Sequence, residues 1–463
     1  NMANSKFPIY YKKVKFTGFS GYNTAYSSVI RPERFKDVIG AMKNPPDRHI
    51  LARGAGKSYG DAALNSDGAI LLTNRLNRLL SFSDETGILR AESGVTIKDI
   101  LTVFVPRGWV LPVVPGISSI TLGGCIAFDI HSKNHWKEGS FHDHVNKISL
   151  VLADGSICEC SRDKEPDLFW ATVGGMGLTG IIVEVELKLR RIEVPCFKAY
   201  SIPIHNLEDT FCRFDEACSN HDFAVAWIDL LNKNMFGRGI LFAADYATNR
   251  DIVDSGIKDA FFYDNNLIAR LPLKPLAPFF NRFTNRMFNL LFYQKHSKTA
   301  SRPYFVGVQP FLCPWDSIPN WNQLYGSKGF FEYQCVLPIG NALQGLESIL
   351  EHIRMHFADY PVYFAAIKRM GHSPAPMSYP LDGYSILMDF PLRRGLPEFL
   401  NEIDQLVIHN KGKVFLAKDG RISAAAFQKM YTNLEWWHKV KNDVDPQELF
   451  SSDMSRRLLL TKR

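Results

Sequence analysis

The chain lacks any apolar run approaching the ~18 residues that a membrane-spanning helix requires, so no such span is expected. Its eight cysteines include no C-x-x-C pair. Cys158 and Cys160 simply alternate along an expected strand, which argues for reduced thiols in a cytoplasmic setting and against a disulfide framework. The first residues lack the apolar core of a secretory signal. No internal repeat or low-complexity tract is visible, which removes repeat architectures. What remains is the composition of a folded protein, 46% hydrophobic and 22% charged. At 463 residues two domains are the expectation. The net charge of +7 suits an anionic ligand or surface without requiring nucleic acid.

The most informative stretch is Arg53-Gly54-Ala55-Gly56-Lys57-Ser58-Tyr59-Gly60-Asp61, which follows the apolar run Ile50-Leu51-Ala52. Its glycines let backbone N–H groups come close to a guest, and Arg53, Lys57 and Ser58 add donors suited to a phosphate or pyrophosphate. It is neither a P-loop, because the required earlier glycine is Leu51, nor G-x-G-x-x-G, because position 59 is tyrosine. A second surface of backbone donors is expected where Pro115-Gly116 and Ser118 lead through Thr121 into a helix carrying Gly123 and Gly124. Close helix packing would explain the same two glycines.

Four of the thirteen histidines, His131, His135, His142 and His144, fall within 14 residues. A metal site would use His131 and His135 on one helical face, but Lys133 between them opposes a cation, so polar lining of an active site is the preferred reading. Along the chain, strands are expected at 48–52, 69–73, 79–83 and 87–92, and helices at 33–43 and from a Thr96 cap to 104. A hairpin is expected over 148–160, and a half-exposed strand over 181–192. The run Val414 to Ala417 reads as another buried strand, and Asp453 to Leu460 as a basic helix. Segment 261–298 holds six Lys/Arg against the single acid Asp264, with nine Phe/Tyr interleaved. That composition suits an anionic membrane interface or a mobile lid, and no RNA-binding motif accompanies it.

The order of these motifs resembles the vanillyl-alcohol-oxidase-type FAD oxidoreductases. The residues that carry the likeness are Arg-Gly-x-Gly-x-Ser-Tyr-Gly-Asp, Pro-Gly…Thr-x-Gly-Gly, Asp129 to His135, and Phe169-Trp170-Ala171-Thr172-Val173-Gly174-Gly175-x-Gly-Leu-Thr-Gly. Within that class, His-x-Lys-Asn-His, Tyr333-Gln334, Ala417-Lys418-Asp419 and the closing Ser452 to Leu458 are similar to the decaprenylphosphoryl-ribose 2′-oxidase family. The resemblance implies an α+β, two-domain flavoprotein. Residues 1–195 and 411–463 would bind FAD, and 196–410 would form a substrate domain with an antiparallel sheet.

The same resemblance implies the site. FAD would be held by Arg53, Gly54, Ala55, Gly56, Lys57, Ser58 and Tyr59, by Pro115, Gly116, Ser118, Thr121, Gly123 and Gly124, and by Ala127, Asp129, Ile130, Asn134, His135, Gly139, Ser140, Gly177, Gly180 and Ile182. Lys418, His131 and Tyr59 would act in catalysis. Lys133, Gln334, Lys368, Ser385 and Leu387 would contact substrate, with Lys133 at the phosphate. Many relatives carry a histidine bonded to the flavin at the Lys57 position, so FAD is expected to be noncovalent here. The implied reaction oxidises the 2′-hydroxyl of a polyprenylphosphoryl ribose, with hydride passing to flavin N5. A separate NAD(P)H-dependent short-chain reductase would complete epimerisation to the arabinose form. No metal or nucleic acid is implied, and the protein would sit in the cytoplasm or peripherally on the inner face of its membrane. Mycobacterial members have a cysteine and an asparagine in the strand before Asp-Phe-Pro, where this chain has Ser385-Ile386-Leu387-Met388, and a tyrosine in place of Phe415. The alternatives are a lactone or sugar-alcohol oxidase of the same fold, a histidine-based metallohydrolase, and a noncatalytic lipid- or RNA-binding protein.

Overall fold

The computed structural model describes residues 13–256, 273–300, 302–318 and 320–462. Two sheets build the N-terminal part. The first runs Lys13–Thr17, Thr24–Ile30, Ala69–Leu72, Ile50–Arg53, and its last three strands pair in parallel. The Phe35–Lys43 helix places Val38, Ala41 and Met42 in one apolar cluster with Ile50, Ala69, Leu71 and Phe450. The second sheet is antiparallel, ordered Leu79–Phe82, Ile88–Glu92, Ile181–Lys188, Val145–Val151, Ile157–Ser161. In Ile181–Lys188 the buried Val183, Val185 and Leu187 alternate with the less buried Glu184, Glu186 and Lys188, as the sequence alternation requires. Thr96 caps the Ile97–Phe104 helix, its Oγ1 accepting from the Asp99 amide at 3.1 Å. Such a cap contributes about 1 kcal/mol.

Apart from the short antiparallel pair Trp109–Val110 and Arg190–Arg191, the remaining strands of the described residues form one eight-stranded antiparallel sheet. Its order is Tyr304–Gly307, Cys196–Ile204, Gly239–Tyr246, Phe223–Ile228, Phe364–Met370, Gly383–Pro391, Phe330–Pro338, Lys413–Val414. Side chains alternate between its faces. Phe331, Tyr333, Cys335 and Leu337 share a core with Leu346, Ile349, Leu400 and Ile403, from the Ala342–Met355 and Leu396–His409 helices. The intervening Glu332 and Gln334 therefore face the other way, opposite Asp389 and Leu387 in register.

The last sheet strand is shorter than the apolar run 414–417 suggests. The Lys418 amide bonds the Phe415 carbonyl and the Asp419 amide the Leu416 carbonyl, so the chain turns immediately after Val414. It then returns to the N-terminal part, where the Tyr59 amide bonds the Ala417 carbonyl at 2.9 Å. Arg457 pairs with both Asp61 (2.7 Å) and Asp419 (2.9 Å). The closing helix spans only Asp453–Arg457, and Leu459 at φ +60 lies beyond its end.

Candidate active site

A cavity of about 1020 Å³ lies between the glycine-bearing loops and the open face of the large sheet. One wall is mostly backbone. Residues 53–59, Pro115, Gly116, Thr121, Gly123, Gly124, Ala127, Ile130, Gly177, Gly180 and Ile182 all line it. None of the hydrogen bonds of the described residues is donated by the amides of residues 55–58. They are free donors on a turn whose Gly56 has φ +66. A Cβ on Gly54 would meet Thr121 Oγ1 at 2.3 Å, and one on Gly177 would meet nothing within 4 Å. This wall therefore fits a pyrophosphate and a flat ring system. Lys57 lies over the Phe19 ring, and burial lowers its pKa.

The opposite wall is made of side chains. Lys418 Nζ sits 3.7 Å over the Tyr59 ring and 2.5 Å from Glu332 Oε1. Glu332 opposes Asp389, whose carboxyl is pushed well above the usual range by burial and by the Glu332 charge. Tyr325 donates to Asp389 Oδ2 at 3.2 Å. Burial, then Glu332, holds the Tyr59 phenol well above its ordinary pKa, so it stays neutral. Lys368 also faces the cavity, and burial followed by the Lys418 charge lowers its pKa to about 8. Lys133 donates to the carbonyls of Phe311 and Leu312, and burial takes it to about 7.

Gln334 donates to His131 Nε2 at 2.9 Å, which places the imidazole proton on Nδ1. Burial and then the nearby Lys368 charge keep the ring neutral, and its Nδ1 is buried with no partner among the described residues. An orphaned donor on a cavity residue is what an oxygen-bearing ring or substrate would satisfy.

Seven residues expected at the ligands stand outside the cavity wall. Ser118 gives its amide and hydroxyl to Asp316. Asp129 is fully buried against His142 Nδ1 (2.9 Å) and Ser378. Asn134 donates to the Pro112 carbonyl. His135 bonds Ser140 at 2.8 Å and accepts from the Gly371 amide, which fixes the loop over the sheet. Gly139 is needed because a Cβ would lie 2.1 Å from Asp143 Oδ2. Ser385 supports Gln334 and Tyr379 from behind. Apart from Asn134 Oδ1, which has no partner among the described residues, the polar side chains among these are spent on protein partners, so they shape the wall from one layer back. His131 and His135 also do not share a helix, since His135 begins one. No group of three or more His, Cys, Asp or Glu able to hold a metal occurs among the described residues.

Sequence reasoning passed over Glu332 and gave Tyr325 and Asp389 no place in the site. The available signal was an acid inside Phe330–Pro338, a strand otherwise apolar enough to be buried at eight of its nine positions. It also missed the apolar upper wall, where Trp227, Phe242 and Val306 face Phe288 and Phe292 of the Arg282–Lys298 helix. Of the basic-aromatic segment 261–298, residues 261–272 lie outside the described residues.

Comparison with known proteins agrees with this geometry. Residues 26–161 match the family model described as the FAD binding domain. Together with the backbone cradle facing a side-chain-lined sheet, this makes the protein an FAD-dependent oxidoreductase of the two-domain vanillyl-alcohol-oxidase type. A decaprenylphosphoryl-β-D-ribose oxidase of Mycolicibacterium smegmatis is 32% identical over 99% of this chain and 100% of its own length. The chain belongs to that oxidase family. An uncharacterized protein of Streptomyces coelicolor is 30% identical over 79% of the chain and its whole length. Mouse L-gulonolactone oxidase is 26% identical over only 38% of the chain and 41% of its own length.

Proposed function

We propose that the protein oxidises the 2′-hydroxyl of a polyprenylphosphoryl ribose to the 2′-ketone, the first half of an epimerisation to the arabinose form. The observation that carries this reading is the division of the cavity. Among the described residues its walls bring Arg53, Lys57, Lys133, Lys368 and Lys418 together against one carboxylate, Glu332, while the upper wall is aromatic and aliphatic. A phosphodiester suits the first part and a prenyl chain the second. The full-length similarity to an oxidase named for such a substrate supports it.

In this assignment residues 1–195 and 411–463 hold FAD, and 196–410 cover it. FAD supplies the two-electron acceptor when bound. Residues 55–58 would hold its pyrophosphate through their amides, and Lys57 cannot bond the flavin covalently as a histidine at that position would. Acid precipitation therefore releases the flavin to the supernatant, and colour kept by the pellet refutes the noncovalent assignment. Lys133 and Lys368 bind the phosphate, and Gln334 and His131 orient the sugar. Lys418, held by Glu332, binds the reacting hydroxyl, and the hydroxyl proton ends on the Glu332 carboxylate through Lys418. Tyr59 serves as the platform under Lys418 and keeps its own proton. A separate NAD(P)H-dependent short-chain reductase consumes the ketone, and the protein works peripherally at the inner face of the cytoplasmic membrane.

The decisive experiment is anaerobic bleaching of the flavin by polyprenylphosphoryl ribose, compared with free sugars and lactones. Bleaching by the lipid-linked sugar alone is expected. Bleaching by a free lactone alone would point instead to a lactone oxidase, the reading that the partial match with L-gulonolactone oxidase offers.

A further inference from the structure

The Arg282–Lys298 helix, with the short turn Lys274–Phe279 before it, has two unlike faces. Inward, Asn285, Asn289 and Phe292 reach the cavity, and Phe288, itself 60% exposed, lines it as well. Asn289 donates to Asp229 Oδ1 at 2.9 Å, and Asp229 is itself clamped by Arg238. His296 meets Ser201 at 3.0 Å, so the inner face is latched to the sheet at two points.

Outward, Phe283, Met287 and Leu291 are 73%, 43% and 61% exposed, and none of the three lines the cavity. They are spaced by four, so they form one continuous apolar stripe. A helix in water normally turns such a stripe inward, and an exposed one marks a contact with something apolar. Residues 273–300 also hold five basic side chains (Lys274, Arg282, Arg286, Lys295, Lys298) and no Asp or Glu. Arg282 is folded over the Phe357 ring at 4.0 Å, while Lys274, Arg286, Lys295 and Lys298 remain exposed.

Charge decides among occupants. A second copy of this surface would bring like charges together. An anionic bilayer offers acyl chains to the stripe and phosphates to the lysines and arginines beside it. Continuity with the cavity points the same way, since the other face of the same helix forms the cavity's aromatic wall.

We propose that the Arg282–Lys298 helix lies on the surface of an anionic bilayer, with Phe283, Met287 and Leu291 at the boundary of headgroups and acyl chains. The lipid chain of the substrate then passes from the bilayer along the inner face of this helix into the cavity. The passage of the chain rests on the function proposed above; the docking does not.

Flotation of the full-length, FAD-loaded protein with vesicles tests this. With equal parts phosphatidylglycerol and phosphatidylcholine, the wild type floats, and it floats less with phosphatidylcholine alone or in high salt. The double variant Phe283→Asp/Leu291→Asp floats about tenfold less, and Arg286→Glu loses part of the binding. FAD content and circular dichroism of the variants establish that they fold.

The double variant oxidises a short-chain, water-soluble prenylphosphoryl ribose within about twofold of wild type, since Phe283 and Leu291 do not line the cavity. Its turnover of long-chain substrate in vesicles falls with the bound fraction. The proposal is overturned if the wild type stays off anionic vesicles or if the double variant floats as well as wild type. It is also overturned if the wild type is a dimer that these substitutions dissociate, because the stripe then joins two copies. If docking behaves as expected but no lipid-linked sugar bleaches the flavin, the substrate assignment fails and the docking stands.

Discussion

The cradle wall, residues 53–59 with Thr121 and Gly177, presents mainly main-chain amides to the cavity. The sheet wall presents the side chains of Lys368, Gln334, Glu332 and Lys418. Backbone donors have fixed partial charges and do not titrate, so a ligand on the cradle would be held over a wide pH range, and at Gly54 the wall tolerates no added volume. The sheet wall is the reverse. Its groups are buried ionisable side chains that shift one another, and each can be exchanged for an isostere without disturbing the backbone. Volume changes should therefore break the first wall, and charge changes the second.

The largest effect is expected at Gly60, which directly follows the cradle. A Cβ at Gly60 would lie 2.0 Å from the Asp419 carbonyl, a backbone atom that cannot step aside cheaply. Gly60→Val is expected to cost about 3–4 kcal/mol of stability and to yield protein without FAD, read by visible absorbance and thermal melting. A variant that retains FAD at wild-type stability would break the comparison.

On the sheet wall, Lys418→Ala should keep FAD yet slow substrate-driven flavin reduction by about 10³-fold, measured by stopped flow. An unchanged rate removes Lys418 from the hydroxyl. Glu332→Gln preserves shape but not proton acceptance, and a loss of about 10²-fold with little change in substrate affinity is expected.

The pH dependence follows from the two lowered lysines. Lys133 near 7 and Lys368 near 8 are cations below those values and become neutral as pH rises through them. The substrate phosphodiester keeps its charge over that range. Accordingly kcat/KM falls about tenfold or more above pH 7, while FAD affinity stays level. Lys133→Arg remains charged and should move the fall toward pH 8.

The smallest effect is expected at Asp389. Its carboxyl is already held protonated, so Asp389→Asn should change stability by about 1 kcal/mol or less. A loss as large as that of Glu332→Gln would show that Asp389 carries the charge.

Sequence alone determined the flavin fold and most of the cradle. A backbone that must approach another backbone or a ligand excludes Cβ atoms, and that steric demand is written directly as glycine at 54, 56, 60, 123, 124 and 177. The alternation in residues 181–188 and the Thr96 cap were legible for the same reason, because each is local. Family resemblance carried His131, Gln334, Lys368 and Lys418 to the cavity, but it also placed Asp129, Asn134, His135 and Ser140 at the flavin. Their side chains turn out to be spent on neighbours that are distant in sequence, such as Gly371 and Ser378.

Only the tertiary structure set Glu332 beside Asp389, 57 positions further along the chain, and brought Lys418 to both. Sheet register and the turn after Val414 make that meeting, and neither has a local signature. The Arg282–Lys298 helix divides in the same way. Its basic and aromatic composition was plain in the sequence. Which aromatics face the cavity and which face outward was decided only when Asn289 and His296 anchored one side of the helix to the sheet.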